Sequence, residues 1–313
     1  MATFLARRLL FAVLTIVFAT ALVFSLSRLS GDPLLLYAKP GGYGFTKEQE
    51  AALKKKLGLD KPLVVQYFVW LGLVGRGDFG KTILDEKPVI KVVTEKIPAS
   101  AQLAAYAWTI ATVVGIPVGV LAAVRRGSFW DYIARMFALF GQALPSFWLG
   151  LILIFFFAVE RGWLPAGTRG DHGWVDWKYV LLPAITLGWG ASASYMRLTR
   201  SAMLEILDSE FIKLARAKGV KSRIVIWKHA FRNALIQPLT ASAIILTSFL
   251  GGSIIVETIF AWPGMGRQLI TAVNNNDFPL LMAFVLFYAT LYVIANFFVD
   301  LAYGVVDPRI RYD

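Results

Sequence analysis

Six stretches of this chain, residues 9–29, 103–124, 136–159, 180–196, 235–256 and 279–299, carry little or no charge. Each is close to the roughly 17–25 residues that an α-helix needs to cross a bilayer. Hydrocarbon offers no hydrogen-bond partner to the backbone, so segments of this kind have to be helical. A charge at mid-span costs about 2.5–3.5 kcal/mol while each Leu, Ile, Val or Phe returns a few tenths, which places Arg28 and Asp300 near helix ends. The 57% hydrophobic content and mean hydropathy of +0.61 exceed the roughly 45–50% apolar usage of soluble domains. The expected fold is an all-α integral membrane protein with six transmembrane helices. Pro117, Pro145, Pro183 and Pro238 lie in or at the start of these runs, where proline kinks helices or simply packs.

Charge in the short loops orients the spans. Arg7 and Arg8, then Arg125, Arg126 and Arg135, then nine basic residues from Arg197 to Arg232, then Arg309 and Arg311 fall on one side. The opposite short loops carry Arg161, Arg169, Lys178 and Arg267. The positive-inside rule makes both termini cytoplasmic. Trp163, Trp174, Trp177 and Tyr179 gather on the other face as an interfacial aromatic belt. The first run continues past Ala19-Thr20-Ala21 to Leu26, which favours an uncleaved span over a signal peptide. The domain reading is therefore residues 1–29 as the cytoplasmic N-terminus and first span, 30–98 as a small extracytoplasmic insertion, and 99–313 as the transmembrane core with a cytoplasmic loop at 201–237.

That loop contains the most distinctive local chemistry. Asp208 or Ser209 is placed to cap a short helix, Glu210 sits in its first turn, Lys213, Arg216 and Lys218 follow, and Gly219 ends it. Phe211, Leu214 and Ala215 fall at i, i+3 and i+4 and make one side apolar. An amphipathic helix at a membrane surface needs either a protein partner or the lipid headgroups.

Several other signals lead away from enzymatic chemistry. Gly75-Arg76-Gly77-Asp78-Phe79-Gly80-Lys81-Thr82 fits the phosphate-loop pattern. Pro88 follows too soon for the required helix, however, and no apolar run ending in Asp supplies the magnesium partner. The expectation is a Gly-rich turn. Thr46 and Gln49 form a capping box for a helix through Leu57, ended by Gly58. His172 and His229 fall on opposite sides of the membrane and cannot share a metal. The chain has no cysteine, so disulfides and thiolate metal sites are excluded. The net charge of +12 follows topology, not nucleic-acid binding.

The chain resembles the B-type permease subunits of bacterial ABC importers for dipeptides, oligopeptides and nickel, nearly end to end. The matching segments are Gly31-Asp32-Pro33, Gly58-Leu59-Asp60-Lys61-Pro62, Gly77-Asp78-Phe79-Gly80, Arg197-Leu198-Thr199-Arg200 and Ala215-Arg216-Ala217-Lys218-Gly219. They continue with His229-Ala230-Phe231-Arg232-Asn233-Ala234-Leu235, Glu257-Thr258-Ile259-Phe260, Pro263-Gly264-Met265-Gly266 and Asp307-Pro308-Arg309-Ile310-Arg311. Each is weak alone; their order relative to the apolar runs makes the set specific.

The resemblance implies a permease of the bacterial plasma membrane, not itself an enzyme, that imports short peptides. It also implies a homologous second permease, two ATPases that hold ATP and magnesium, and an extracytoplasmic substrate-binding protein. No cofactor or metal is expected on this chain, and no nucleic acid. Glu210, Phe211, Leu214, Ala215, Arg216, Ala217, Lys218 and Gly219 would form the coupling helix against an ATPase, although Lys213, Leu214 and Ala215 stand where the general Glu-Ala-Ala pattern begins. Glu257, Trp262, Pro263 and Gly264 are the candidates for a gate or a binding-protein contact. A nickel chelate or glutathione-like cargo is the alternative within the class. Outside it stands an ATP-independent secondary transporter or channel, although inverted repeats and intramembrane ionisable residues, the marks of that class, are not evident.

Overall fold

The structure is a computed structural model that describes residues 2–29, 60–171 and 173–306. The capping box at Thr46 and Gln49, His172, and the segment Asp307 to Arg311 lie outside the described residues. Among those described, the chain is mostly helical and forms no strand. In chain order the helices are α1 (Ala2–Leu29), α2 (Leu63–Val74), α3 (Val89–Val124), α4 (Phe129–Ala143), α5 (Ser146–Leu153), α6 (Trp177–Leu207), α7 (Glu210–Ala217), α8 (Ile236–Ile259), α9 (Met265–Asn274) and α10 (Phe278–Val306). π-helical turns continue α5 through Ile154–Glu160 and lead into α8 at Val225–Phe231.

By length and composition, Val89–Val124 and Phe278–Phe297 are apolar enough to cross a membrane alone. The number rises to four if two bent pairs, Phe129–Ala143 with Ser146–Glu160 and Ser222–Phe249 with Ser253–Ile259, each count as one span. The run 136–159, expected as one span, is thus two helices meeting at 106°. Pro145 has no N–H to donate to the α4 carbonyls, and it forces Leu144 into an extended conformation at ψ 123°.

The chain divides into two compact units. In the first, which among the described residues holds 2–29, 60–97 and 268–293, α2 lies on α1. The buried Thr20 hydroxyl and the Tyr67 hydroxyl are 2.8 Å apart, and Phe24 meets the Tyr67 ring edge-on. The loop after α2 turns at Gly77 and Gly80, both with positive φ, and closes as Thr82 N–H donates to the Lys87 carbonyl at 2.9 Å. Its Ile83 N–H donates to the buried Asp277 carboxylate at 3.0 Å, which also accepts from Leu280 N–H at the start of α10. Burial pushes the Asp277 carboxyl above its usual range, against these two donors that favour its charge.

The second unit, which among the described residues holds 98–171, 173–267 and 294–306, is built on α3 and α6. Ala107, Ala111, Gly115 and Gly119 recur every fourth residue on α3 and so line one stripe. A Cβ at Gly119 would lie 2.7 Å from the Met196 carbonyl and from Thr199 Cβ; one at Gly188 on α6 would lie 2.6 Å from the Ala107 carbonyl. The backbones therefore touch, the small-residue packing that replaces hydrophobic driving force inside lipid. Polar links fix the register. Trp108 Nε1–H donates to the Tyr195 hydroxyl at 3.0 Å, and that hydroxyl donates to Ser242 Oγ on α8 at 2.7 Å.

Gly119→Leu should force these helices apart at a cost of about 1–3 kcal/mol or more, read as a lower melting temperature in detergent. Gly72→Ala, where nothing lies within 4 Å of an added Cβ, should leave it within a degree or two or raise it slightly. Equal melting temperatures for Gly119→Leu and wild type would remove the close-packing account.

Candidate functional site

The short helix α7 begins after Ser209, whose hydroxyl turns back to donate to the Ile206 carbonyl and does not cap the helix. At its other end Gly219 N–H donates to the Arg216 carbonyl and Val220 N–H to the Ala215 carbonyl, with Gly219 at φ +74°. This pair of bonds is a Schellman stop, and it makes the helix a separate, sharply bounded unit. One side is keyed into the protein: Ile212 is 0% exposed and packs with Val120 and Ala123 of α3, Ala202 and Met203 of α6, and Val225 and Ala230 of the π-helical turns. Ala215 packs inward on the same cluster.

The outer side is different. Phe211 is 47% and Leu214 57% exposed, and Glu210, Arg216, Ala217, Lys218 and Gly219 are exposed around them. The apolar stripe read from spacing as Phe211, Leu214 and Ala215 is therefore split: Ala215 joins the core, Phe211 and Leu214 face out, and the buried anchor is Ile212. Lys213 pairs with Glu210 at 2.7 Å, but both are so exposed that the pair adds little stability.

The second cluster closes the end of α8. Glu257 accepts hydrogen bonds from Ser100 Oγ at 2.6 Å and from the N–H groups of Gly266 at 2.6 Å and Arg267 at 3.1 Å in the first turn of α9, whose N–H groups have no acceptor within the helix. Met265 N–H donates to Ser100 Oγ at 2.8 Å, and Trp262 Nε1–H donates to the Ala99 carbonyl at 2.9 Å. Gly264 is required because a Cβ there would strike the Glu257 carboxylate. Trp262 is 0% exposed, Glu257 and Gly264 are buried and Pro263 is half-buried. These residues form an internal clasp and present no continuous surface to an outside protein in this state.

The loop 161–176 is tied to the same region. Arg169 Nε–H donates to Gln102 Oε1 at 2.8 Å, and Thr168 N–H donates to the Phe260 carbonyl at 2.8 Å. Ser100, Gln102 and Arg169 escaped the sequence reading because each bonds across more than 60 residues; the usable signal was an acid at the end of an apolar run just before a Gly-rich helix start. At the α4–α5 bend, against α6 and α8, lies a cavity of about 280 Å³. Ser146, Thr186, Trp189, Ser194 and Ser248 contribute its polar lining, and no ionisable side chain does.

The phosphate-loop pattern has no phosphate cradle. Helix α2 precedes it instead of a strand, Thr82 is buried, and the Thr82 hydroxyl accepts the Lys87 N–H at 3.1 Å. Among the described residues no group of three or more His, Cys, Asp or Glu is placed to hold a metal.

A helical membrane unit with a bounded amphipathic helix mounted on its spans is the architecture of an ABC-importer permease. A solved chain of the MetNI methionine ABC transporter in inward-facing form shares the fold, with TM-score 0.56 and 20% identity over 70% of this chain and 98% of that one. The chain belongs to the family of binding-protein-dependent transport system inner membrane components: that family's model matches residues 115–312, and its N-terminal companion matches residues 1–104. It is 38% identical to the dipeptide transport system permease protein DppB of Escherichia coli K12, over 100% of this chain and 99% of that protein. It is 35% identical to DppB of Alkalihalophilus pseudofirmus over the full length of both. The protein is thus an integral membrane permease subunit of an ABC importer, and its relatives are permeases, not enzymes.

Glu257→Ala should remove the acceptor of the Ser100 and Ser253 hydroxyls and of the Gly266 and Arg267 N–H groups and cost about 1–3 kcal/mol for each that water cannot reach, whereas Glu257→Gln keeps an acceptor and should cost less. Melting temperatures of the purified variants in that order would check the clasp; no difference between Ala and Gln would contradict it.

Proposed function

We propose that this chain is the B-type permease of an importer of short peptides, with six spans, both termini in the cytoplasm and residues 30–98 on the outer side of a bacterial plasma membrane. α1 and α6 supply the two spans beyond the four discussed above. It pairs with a homologous second permease, two ATPases that hold ATP and magnesium, and an external substrate-binding protein. No cofactor belongs to this chain, and the hydrolysis takes place on the ATPases. The dipeptide cargo of the relatives supports a peptide path, and an uncharged, hydroxyl-lined cavity suits a zwitterion better than an ion.

One observation carries the reading: α7 exposes Phe211 and Leu214 while Ile212 of the same helix is fully buried among α3, α6 and the turns before α8. A push on the outer face is passed by a close-packed side chain to three membrane segments, and packed interfaces switch between discrete arrangements instead of yielding. Nucleotide-driven movement of an ATPase against Phe211 and Leu214 would thereby shift the spans. Glu257, Trp262, Pro263 and Gly264 form the outer counterpart, a clasp whose opening would gate the path.

Phe211→Ala with Leu214→Ala should abolish binding-protein-stimulated ATP hydrolysis in the reconstituted importer while leaving the permease's melting temperature unchanged. Ile212→Ala should lower the melting temperature as well, in line with about 2–5 kcal/mol for a buried Ile→Ala change. Full stimulation in the double variant would defeat the coupling assignment. Because the chain lacks cysteine, Lys81→Cys and Ser222→Cys test topology: an impermeant thiol reagent should label the first only from outside and the second only from inside. Transport that persists without any ATPase would place the chain among secondary transporters.

A further inference from the structure

The end of α6 nearest the coupling helix carries a cluster that the coupling mechanism does not use. Asp131 on α4 is 1% exposed and is held by Arg200 of α6 through two bonds, Nε–H to Oδ1 at 2.8 Å and a terminal N–H to Oδ2 at 3.0 Å. Gly127 N–H donates to the same carboxylate at 3.0 Å, and Arg135 stands 3.7 Å away. Arg197, one turn along α6, donates to the neutral Gln142 amide oxygen at 2.8 Å. Two guanidinium groups therefore face one carboxylate while a third, Arg197, is held beside them on an uncharged amide, and all three line a cavity of about 440 Å³.

The cavity is amphipathic. Arg135, Arg197, Arg200, Gln142 and Ser201 supply donors, while Leu139, 66% exposed, contributes an apolar wall continuous with exposed Met136 and Phe140 on α4. Its depth is marked twice. The charge-free run of α6 ends at Met196, immediately before Arg197. Exposed Phe129, Trp130 and Tyr132 ring the start of α4, with Arg135 over the Tyr132 face at 4.5 Å, as aromatic residues do at the headgroup level. Cations at that depth beside an apolar wall meet a ligand that has an anionic head and a hydrocarbon tail.

We propose that the pocket between α4 and α6 binds the phosphate of an anionic phospholipid, with Arg197 and Arg135 on the headgroup and the acyl chains along Leu139. Arg200 acts as a positioning residue whose carboxylate partner Asp131 holds the α4 and α6 walls together. A basic pocket between membrane helices is the arrangement that selects anionic over zwitterionic headgroups, at about 1 kcal/mol per cation. The site is independent of the cargo.

The test uses the assembled transporter in nanodiscs that contain phosphatidylcholine and phosphatidylglycerol. Lipids retained after detergent extraction are counted by native mass spectrometry for wild type, Arg135→Gln with Arg197→Gln, and Arg197→Lys. Arg200 is left intact because breaking a buried ion pair costs about 3–5 kcal/mol and risks the fold. Wild type should retain phosphatidylglycerol preferentially, the double variant should lose roughly tenfold or more of that preference, and Arg197→Lys should keep most of it. Arg125→Gln, outside the pocket, should match wild type. Equal preference in wild type and the double variant overturns the proposal. So does thermal stabilisation by inorganic phosphate as large as that by the lipid, which would mean a soluble anion site. Failure of the intact complex to retain lipid, as when the second permease covers the pocket, overturns it too.

Discussion

The contact on which the second unit depends is the touching of two backbones. Where Gly115 and Gly119 of α3 meet α6 there is no room for a side chain, and Gly188 makes the reciprocal fit against Ala107. In lipid the hydrophobic effect does not hold helix to helix, so close van der Waals contact and buried polar links have to do so. Here they coincide: the Trp108–Tyr195–Ser242 chain of hydrogen bonds ties α8 to the same pair. The candidate sites are all built on this frame. Helix α7, the proposed coupling helix, follows the end of α6, the clasp joins the start of the buried part of α3 to the end of α8, and the proposed anion pocket lies on the α4 side of α6.

Two packed joints are built on that frame. At one end Ile212 and Ala215 bind α7 to three membrane segments, leaving Phe211 and Leu214 outward. At the other, Glu257 gathers the Ser100 hydroxyl and two backbone donors of α9 in one carboxylate. In both, side chains from several helices are packed or hydrogen-bonded together. The strained Ala261, at φ +49°, sits in the turn that the clasp closes.

Part of this was legible in the residues. The boundaries of α7 followed from Glu210 and Gly219, since a Schellman stop needs a residue that tolerates positive φ. Which face of α7 is buried was not legible, because Phe211, Ile212, Leu214 and Ala215 wrap too much of so short a helix for spacing to choose between them. The break at Pro145 was signalled by the missing N–H, yet the angle of 106° was set by what α4 and α5 pack against. Trp262 and Gly264 stood out in the sequence as external-loop residues; burial against Ala99 and Glu257 came from partners more than 150 positions away or from carboxylate packing that composition does not encode.

The sequence by itself determined that the chain enters a membrane as helices, where the short helix α7 ends, and to which family of transport permeases it belongs. Those properties follow from local physics: transfer of uncharged runs into hydrocarbon, backbone hydrogen bonding within each run, and the conformational limits of proline and glycine. Tertiary structure alone decided which charges meet and which apolar residues face out. Asp131 with Arg200, Glu257 with Ser100, and Ile212 with Val120 are pairings between distant segments, fixed by the register in which small residues let the helices touch.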